Sequence, residues 1–159
     1  MGSGKTSVAK HLASNYKLSY LDTDSHIESS EQQTISDIFK TEGEPYFRNL
    51  ELKLAKKLSS FSETIISTGG GFILQDEISR ICHNLGTIVY LQASPESIQS
   101  RLNNDVSRPL ASNKESLLQL HKKRHPYYQT IASFTVNTDN KSIDNISNTI
   151  WNYYENHKS

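Results

Sequence analysis

The opening residues Gly2-Ser3-Gly4-Lys5-Thr6-Ser7 have the types and order that could hold a phosphate, and they run straight into the helical stripe Val8, Ala9, Leu12 and Ala13. Glycines let the backbone approach an anion closely, and amides at the start of a helix favour negative charge. Lys5 could reach the β- and γ-phosphates of a nucleotide, and the Thr6 hydroxyl could bind Mg²⁺. In the full pattern G-x-x-x-x-G-K-[ST], Gly4 is the second glycine, so the first would precede Met1. Three other readings compete: a glycine-initiated helix with a solvated lysine, an N-myristoylation signal and a short leader left by cloning.

Further along, Asp22-Thr23-Asp24 follows a strand-like stretch. Carboxylates two apart on an extended segment point to opposite sides, so one could face a metal and the other a substrate. The plainer reading is an Asp cap on the next helix. Arg48 and Glu51 lie one helical turn apart and can pair. A surface ion pair is the ordinary outcome of that spacing. Arg48 follows the apolar Phe47, however, and a partly dry guanidinium is suited to a two-pronged grip on a carboxylate. Gly69, Gly70 and Gly71 end a β-branched run. Three glycines are costly in chain entropy and make sense where backbone amides must touch a ligand, the alternative being a flexible turn.

Arg108 and Pro109 sit inside the polar stretch NNDVSRPLASNK, which reads as a mobile loop whose arginine could close over a phosphoryl donor, or as a solvated connector. His121 and His125, four apart, invite a zinc site, but no Glu follows His121 and no third ligand is evident. Arg124 lies in the same basic run, bracketed by leucines and two tyrosines that would half-bury it. Trp151, Tyr153 and Tyr154 read as packing of the last helix.

These residues need elements to position them. LSYLDTD, TIISTGGG, TIVYLQA and SFTVNT read as strands. Between them, the long stretch TISDIFKTEGEPYFRNLELKLAKKLSSF is mostly helical, broken near Gly43 and Pro45. PESIQSRL, ESLLQLHKKRH and SIDNISNTIWNYYEN read as further helices. Strands alternating with helices require crossovers, which gives an α/β fold with a parallel sheet covered on both faces. Ligands in such folds bind beyond the carboxyl ends of the strands, where the chemistry-bearing residues fall.

Bulk properties narrow the classes. Seventeen basic and seventeen acidic side chains cancel, so nothing global points to nucleic acid or a membrane surface. The lone Cys82 excludes an internal disulfide and a cysteine-rich zinc site. No apolar run approaches the roughly 20 residues that span a bilayer, and without a secretory leader the glycosylation-like triplets at Asn140 and Asn145 are chance matches. The expectation is a single cytoplasmic domain over residues 1–159, without nucleic-acid or membrane partners.

Taken in order, G-x-G-K-T, D-T-D, I-F-x-x-x-G-E-x-x-F-R-x-x-E, G-G-G, R-P-L and R-x-P-x-Y resemble shikimate kinase over nearly the whole chain. The resemblance implies a three-layer P-loop fold of the nucleoside-monophosphate-kinase type, with a five-stranded parallel sheet and a mobile lid at about 103–114. It implies a monomer that uses ATP and Mg²⁺ to phosphorylate the 3-hydroxyl of shikimate, in the pathway to chorismate and the aromatic amino acids. By the same resemblance, Gly2, Ser3, Gly4, Lys5, Thr6 and Ser7 bind ATP, and Thr6 and Asp22 serve Mg²⁺, Asp22 through water. Asp24 receives or orients the substrate hydroxyl, Arg48 and Arg124 clamp the carboxylate, and Glu51 holds Arg48. Gly69, Gly70 and Gly71 line the substrate pocket, Arg108 sits on the lid over the phosphates and is catalytic with Lys5 and Asp24, and Arg101 is the adenine-side arginine.

The chain departs from the family at its front, where the strand that feeds the loop and the loop's leading Gly-x are missing. That points to a true start upstream of Met1, and leaves a catalytically weak nucleotide- or shikimate-binding homologue as the rival to an active kinase. Another small-metabolite P-loop kinase, such as a gluconate kinase, is disfavoured by the two-arginine clamp with G-G-G.

Overall fold

The computed structural model describes residues 2–103 and 114–158. The expected lid, at about 103–114, lies outside the described residues over positions 104–113, as does its Arg108. Helices and strands alternate: α1 (Lys5–Tyr16), β1 (Ser19–Asp22), α2 (Thr23–Glu31), α3 (Ile35–Thr41), α4 (Gly43–Lys57), β2 (Thr64–Ser67), α5 (Asp76–Leu85), β3 (Val89–Gln92), α6 (Pro95–Asn103), α7 (Lys114–Ile131), β4 (Phe134–Asn137) and α8 (Ile143–His157). Short 3-10 turns occupy Leu58–Ser60 and Phe72–Leu74.

The boundaries follow local chemistry. Asp22 ends β1 and caps α2, its side chain accepting from the Ser25 amide at 3.2 Å. Thr34 and Ser142 cap α3 and α8 in the same way. Gly43, at φ 82°, takes the left-handed turn that separates α3 from α4, and Pro45 sits in the first turn of α4, where its missing N–H is not needed. The expected helix around ESLLQLHKKRH runs on to Ile131 and carries Pro126 inside it. The missing proline N–H falls opposite the carbonyl of Lys122, an exposed position where water can satisfy that oxygen.

Both strand pairings are parallel. β1 pairs with β2 from Ser19 opposite Thr64 to Asp22 opposite Ser67, and β3 with β4 from Val89 opposite Phe134 to Gln92 opposite Asn137. Among the described residues these are two separate two-stranded sheets. The first register brings two carboxyl ends side by side, so the turn carrying Asp24 and the turn carrying the three glycines leave the same sheet end. That shared exit is what makes a site possible there.

The chain forms two compact units, one comprising Ala9–Gly86 and the other the chain up to Val8 together with the chain from Thr87. In the first, Leu21, Ile27, Ile38, Phe47, Leu50, Leu54, Phe72 and Ile78 make a continuous apolar core. In the second, Leu91, Ile98, Val136, Ile146 and Ile150 are buried. There Tyr153 stacks on Phe134, with centroids 4.0 Å apart and rings 6° from parallel, and its hydroxyl donates to the Ser133 carbonyl at 2.9 Å. Tyr154 is exposed, so of the three aromatic residues on α8 it is not core packing. No described helix is long and apolar enough to cross a membrane.

Candidate active site

In the Ala9–Gly86 unit the site is built from α2, α4 and the glycine turn after β2. Asp24 lies in the first turn of α2. The pair Asp22 and Asp24 is therefore not two residues of one extended segment, and it is helix geometry, with Asp22 at the cap, that separates their directions. Asp22 is the cap that the plainer reading required, and its second oxygen accepts from the Tyr20 hydroxyl at 3.2 Å. Gly69 donates its amide to the Thr23 hydroxyl at 3.1 Å, which ties the glycine turn to the start of α2 across 46 residues of sequence.

Two of the three glycines are demanded by what they face. A Cβ on Gly69 would overlap Asp24 Oδ1 and lie 3.1 Å from its Cγ. A Cβ on Gly71 would lie 2.6 Å from Arg48 Nη1, 3.0 Å from Nη2 and 3.1 Å from Cζ. The glycine turn is thus shaped around the working ends of Asp24 and Arg48, with Gly70 between the two contacts.

Arg48 is held by two carboxylates. Its Nη1 donates to Glu51 Oε2 at 2.7 Å, while Nε and Nη2 both donate to Glu44 Oε1, at 3.1 and 2.8 Å. The Glu51 side chain is 1% exposed and that of Glu44 61%, so the two pairs differ in kind. A buried carboxylate paired at short range is expensive to strip of its partner, whereas an exposed pair is worth about 0–1 kcal/mol. Gln75 completes the buried side by donating Nε2 to Glu51 Oε2 at 3.0 Å. Burial pushes the Glu51 carboxyl above its usual range, hydrogen bonds and charge from Arg48 pull it back, and the nearby Asp24 charge adds to the rise. Burial works against the Arg48 charge, but the bonds to Glu51 and Glu44 more than offset it and its pKa is raised. The surface ion pair that spacing alone suggests is therefore a buried, hydrogen-bonded anchor.

The other unit carries the phosphate-type loop. Gly2 and Gly4 take φ of 70° and 87°, conformations that a side chain would resist. The ladder of α1 begins with the Val8 amide donating to the Gly4 carbonyl at 2.9 Å, so the amides of Lys5, Thr6 and Ser7 precede it at the positive end of the helix. Thr6 and Ser7 are exposed on this first turn. Arg101 on α6 donates to the Gly2 carbonyl at 3.4 Å, to Thr138 Oγ1 at 3.1 Å and to the Thr138 carbonyl at 2.8 Å. Thr138 is fully buried just past β4, with its amide and hydroxyl on the Gln92 carbonyl. Arg101 thus braces the loop against the end of the β3–β4 sheet.

Arg124 on α7 lies within electrostatic reach of the Tyr128 hydroxyl one turn further on. Burial raises the Tyr128 pKa and the Arg124 contact opposes it. The His121 and His125 rings stack at 5.1 Å, and His125 Nδ1 meets the Tyr90 hydroxyl at 2.9 Å. Among the described residues no group of three His, Cys, Asp or Glu side chains could hold a metal.

Asp24, Arg48, Gly69, Gly70 and Gly71 come together with Glu51 in one unit. Gly2, Ser3, Gly4, Lys5, Thr6, Ser7, Arg101 and Arg124 belong to the other. Sequence reasoning missed Thr23, Glu44, Gln75 and Thr138. Glu44 stands four residues before Arg48 on one helix face and was within reach of spacing rules. The other three act across 24 to 46 residues of chain and leave no local signal.

Comparison with known proteins agrees with this geometry. A family model described as shikimate kinase matches residues 1–155. A shikimate kinase of Dictyoglomus turgidum is 40% identical over 152 residues, covering 92% of this chain and 88% of that protein. One from Pelotomaculum thermopropionicum is 35% identical over 160 residues, covering 99% and 92%. The solved structure of shikimate kinase from Acinetobacter baumannii in complex with shikimate superposes with a TM-score of 0.90 at 33% identity, over 99% of this chain and 90% of that one. With its glycine turn, buried arginine anchor and phosphate-type loop, the chain belongs to the shikimate kinase family.

Proposed function

We infer that the protein phosphorylates shikimate at its 3-hydroxyl, with ATP as donor and Mg²⁺ as cofactor, in aromatic amino acid biosynthesis. The observation that carries the site assignment is the glycine turn cut to fit Asp24 at Gly69 and Arg48 at Gly71. It leaves a carboxylate and a guanidinium at one sheet end, and these match an acceptor hydroxyl and a substrate carboxylate. A relative of this chain has been solved in complex with shikimate.

Phosphoryl transfer demands positioning and charge neutralisation more than covalent chemistry. Asp24 orients the acceptor hydroxyl and takes its proton. Arg48, anchored by Glu51, grips the substrate carboxylate, and Arg124 is its second clamp. Lys5 and the amides of Gly2 to Ser7 hold the phosphates, with Arg108 as a further cation for them. Arg101 serves the adenine side and also steadies the loop through Gly2. Hydroxyl and carboxylate oxygens are the hard donors that Mg²⁺ prefers, so Thr6 and Asp22 fit it. Both Asp22 oxygens already accept from protein donors, which suits contact with the metal through water. When bound, Mg²⁺ supplies charge neutralisation at the β- and γ-phosphates. The same reading makes the protein a cytoplasmic monomer, and its balanced charge supports the absence of nucleic-acid or membrane partners.

A coupled assay with ATP and Mg²⁺ tests the inference. Turnover is expected with shikimate and not with gluconate or nucleoside monophosphates, and faster turnover of either competitor would overturn it.

A further inference from the structure

A guanidinium has two edges that can take a carboxylate in two prongs: the side edge, Nε with Nη2, and the outer edge, Nη1 with Nη2. On Arg48 the outer edge looks onto Gly71, so closely that even a methyl carbon there would lie 2.6 Å from Nη1 and 3.0 Å from Nη2. The remaining Nη1 capacity is engaged by buried Glu51 at 2.7 Å. The side edge is the one left for an incoming carboxylate, and Glu44 Oε1 occupies it, bonded to both Nε and Nη2.

We propose that Glu44 is an internal competitor that the substrate's carboxylate must displace from the side edge of Arg48. This rests on the reading of Arg48 as the carboxylate clamp. Glu44 is suited to leave: its side chain is 61% exposed, and it sits in the first turn of α4, where a released carboxylate remains favoured by the helix end. Glu51 is not, since it is buried and also bound by Gln75. In the free protein Glu44 keeps the guanidinium aimed and charge-balanced. On binding, a weak exposed pair is exchanged for a more desolvated one, and a ligand without an anionic group has little to displace Glu44 with.

The test is calorimetric titration of shikimate into the full chain and its Glu44→Gln, Arg48→Ala and double variants. Glu44→Gln should tighten binding about two- to fivefold, the scale of an exposed ion pair, and the gain should vanish when Arg48 is also Ala. Unchanged or weaker binding in Glu44→Gln, with Arg48→Ala still weakened, would overturn the competitor role and leave the clamp standing. Unchanged binding in Arg48→Ala would sink the clamp itself. A gain that persists without Arg48 would mean simple repulsion and also overturn the proposal. If binding to Arg48→Ala is too weak to titrate, the NMR signal of the Arg48 Nε–H decides. Glu44→Gln should shift it in the free protein, and saturating shikimate should bring both proteins to one position. Saturated signals that stay apart would show Glu44 still on the edge and overturn the proposal.

Discussion

Gly71 and the guanidinium of Arg48 exclude one another's bulk: a Cβ on Gly71 would sit 2.6 Å from Nη1. Gly71 has φ of −91°, which any residue can adopt, so its glycine is required by the neighbour and not by the backbone. Gly69 stands in the same relation to Asp24. In both cases the obstructing atoms end a side chain that can swing away. Gly69→Ala should therefore fold with a thermal midpoint close to the parent, whereas Gly71→Ala should lower it because moving Arg48 strips buried Glu51 of its partner, and each should misplace one functional group. Gly71→Ala is expected to raise the KM for shikimate, by tenfold or more if a charge-assisted contact worth about 1.5–3 kcal/mol is lost. Gly69→Ala is expected to lower kcat with a smaller change in KM. Steady-state kinetics of the two variants check this, and equal effects on both parameters would contradict the division.

Asp24 and Asp22 should fail differently when each becomes Asn. Asp24→Asn keeps size but loses the charge that takes a proton, so kcat should fall by about 10²–10⁴-fold with ATP and Mg²⁺ binding retained. Asp22→Asn should raise the Mg²⁺ requirement, and excess metal should recover part of the activity. A Mg²⁺ titration of turnover in both variants is the measurement, and rescue of Asp24→Asn alone would mean the roles are exchanged.

Glu51 gives a pH signature with two opposite limbs. Burial, the largest influence, holds its carboxyl above the ordinary 4.5. As pH falls through that raised value, Glu51 takes up a proton and Arg48 Nη1 loses its anionic partner, so shikimate affinity should fall. Stability moves the other way. The folded protein binds this proton more tightly than the unfolded chain, so the residue's contribution rises as pH falls from the raised value toward 4.5. In Glu51→Gln the share of each pH dependence that this residue contributes should be lost, leaving shallower slopes. Titrations of shikimate affinity and thermal midpoint from pH 7 to 4.5 on both proteins test it, and identical slopes would refute it.

Cys82 should be inert in the folded protein. Burial pushes its thiol from 9.0 up to about 11, leaving on the order of 100-fold less thiolate at neutral pH. Alkylation at pH 8 should be slower by that order in native than in denatured protein. Because the neutral thiol is favoured by folding, its stabilising contribution should be present below pH 9 and lost between about 9 and 11. Comparison with Cys82→Ala isolates that loss, and equal alkylation rates in the two states would refute the assignment.

Family, chemistry and most elements were legible in the sequence because their signals are local. The loop glycines, the strand–glycine junctions and the one-turn spacing of Arg48 and Glu51 each occupy a few consecutive residues, and backbone geometry translates such spacing directly into direction. Helix ends at Asp22, Thr34 and Ser142 were encoded in the same short-range way. What the sequence could not decide was which of two like residues is buried. Glu44 and Glu51 both flank Arg48 at pairing distance along α4, yet one is open to water and the other sealed beneath Gln75. The run through Pro126 and the bracing of the loop by Arg101 on Thr138 were equally out of reach. Burial and long-range hydrogen bonds depend on which elements meet after folding. The parallel register of β1 with β2 made that decision by bringing the Asp24 turn and the glycine turn out at one end. Only there does a run of three glycines become a surface shaped to two particular side chains.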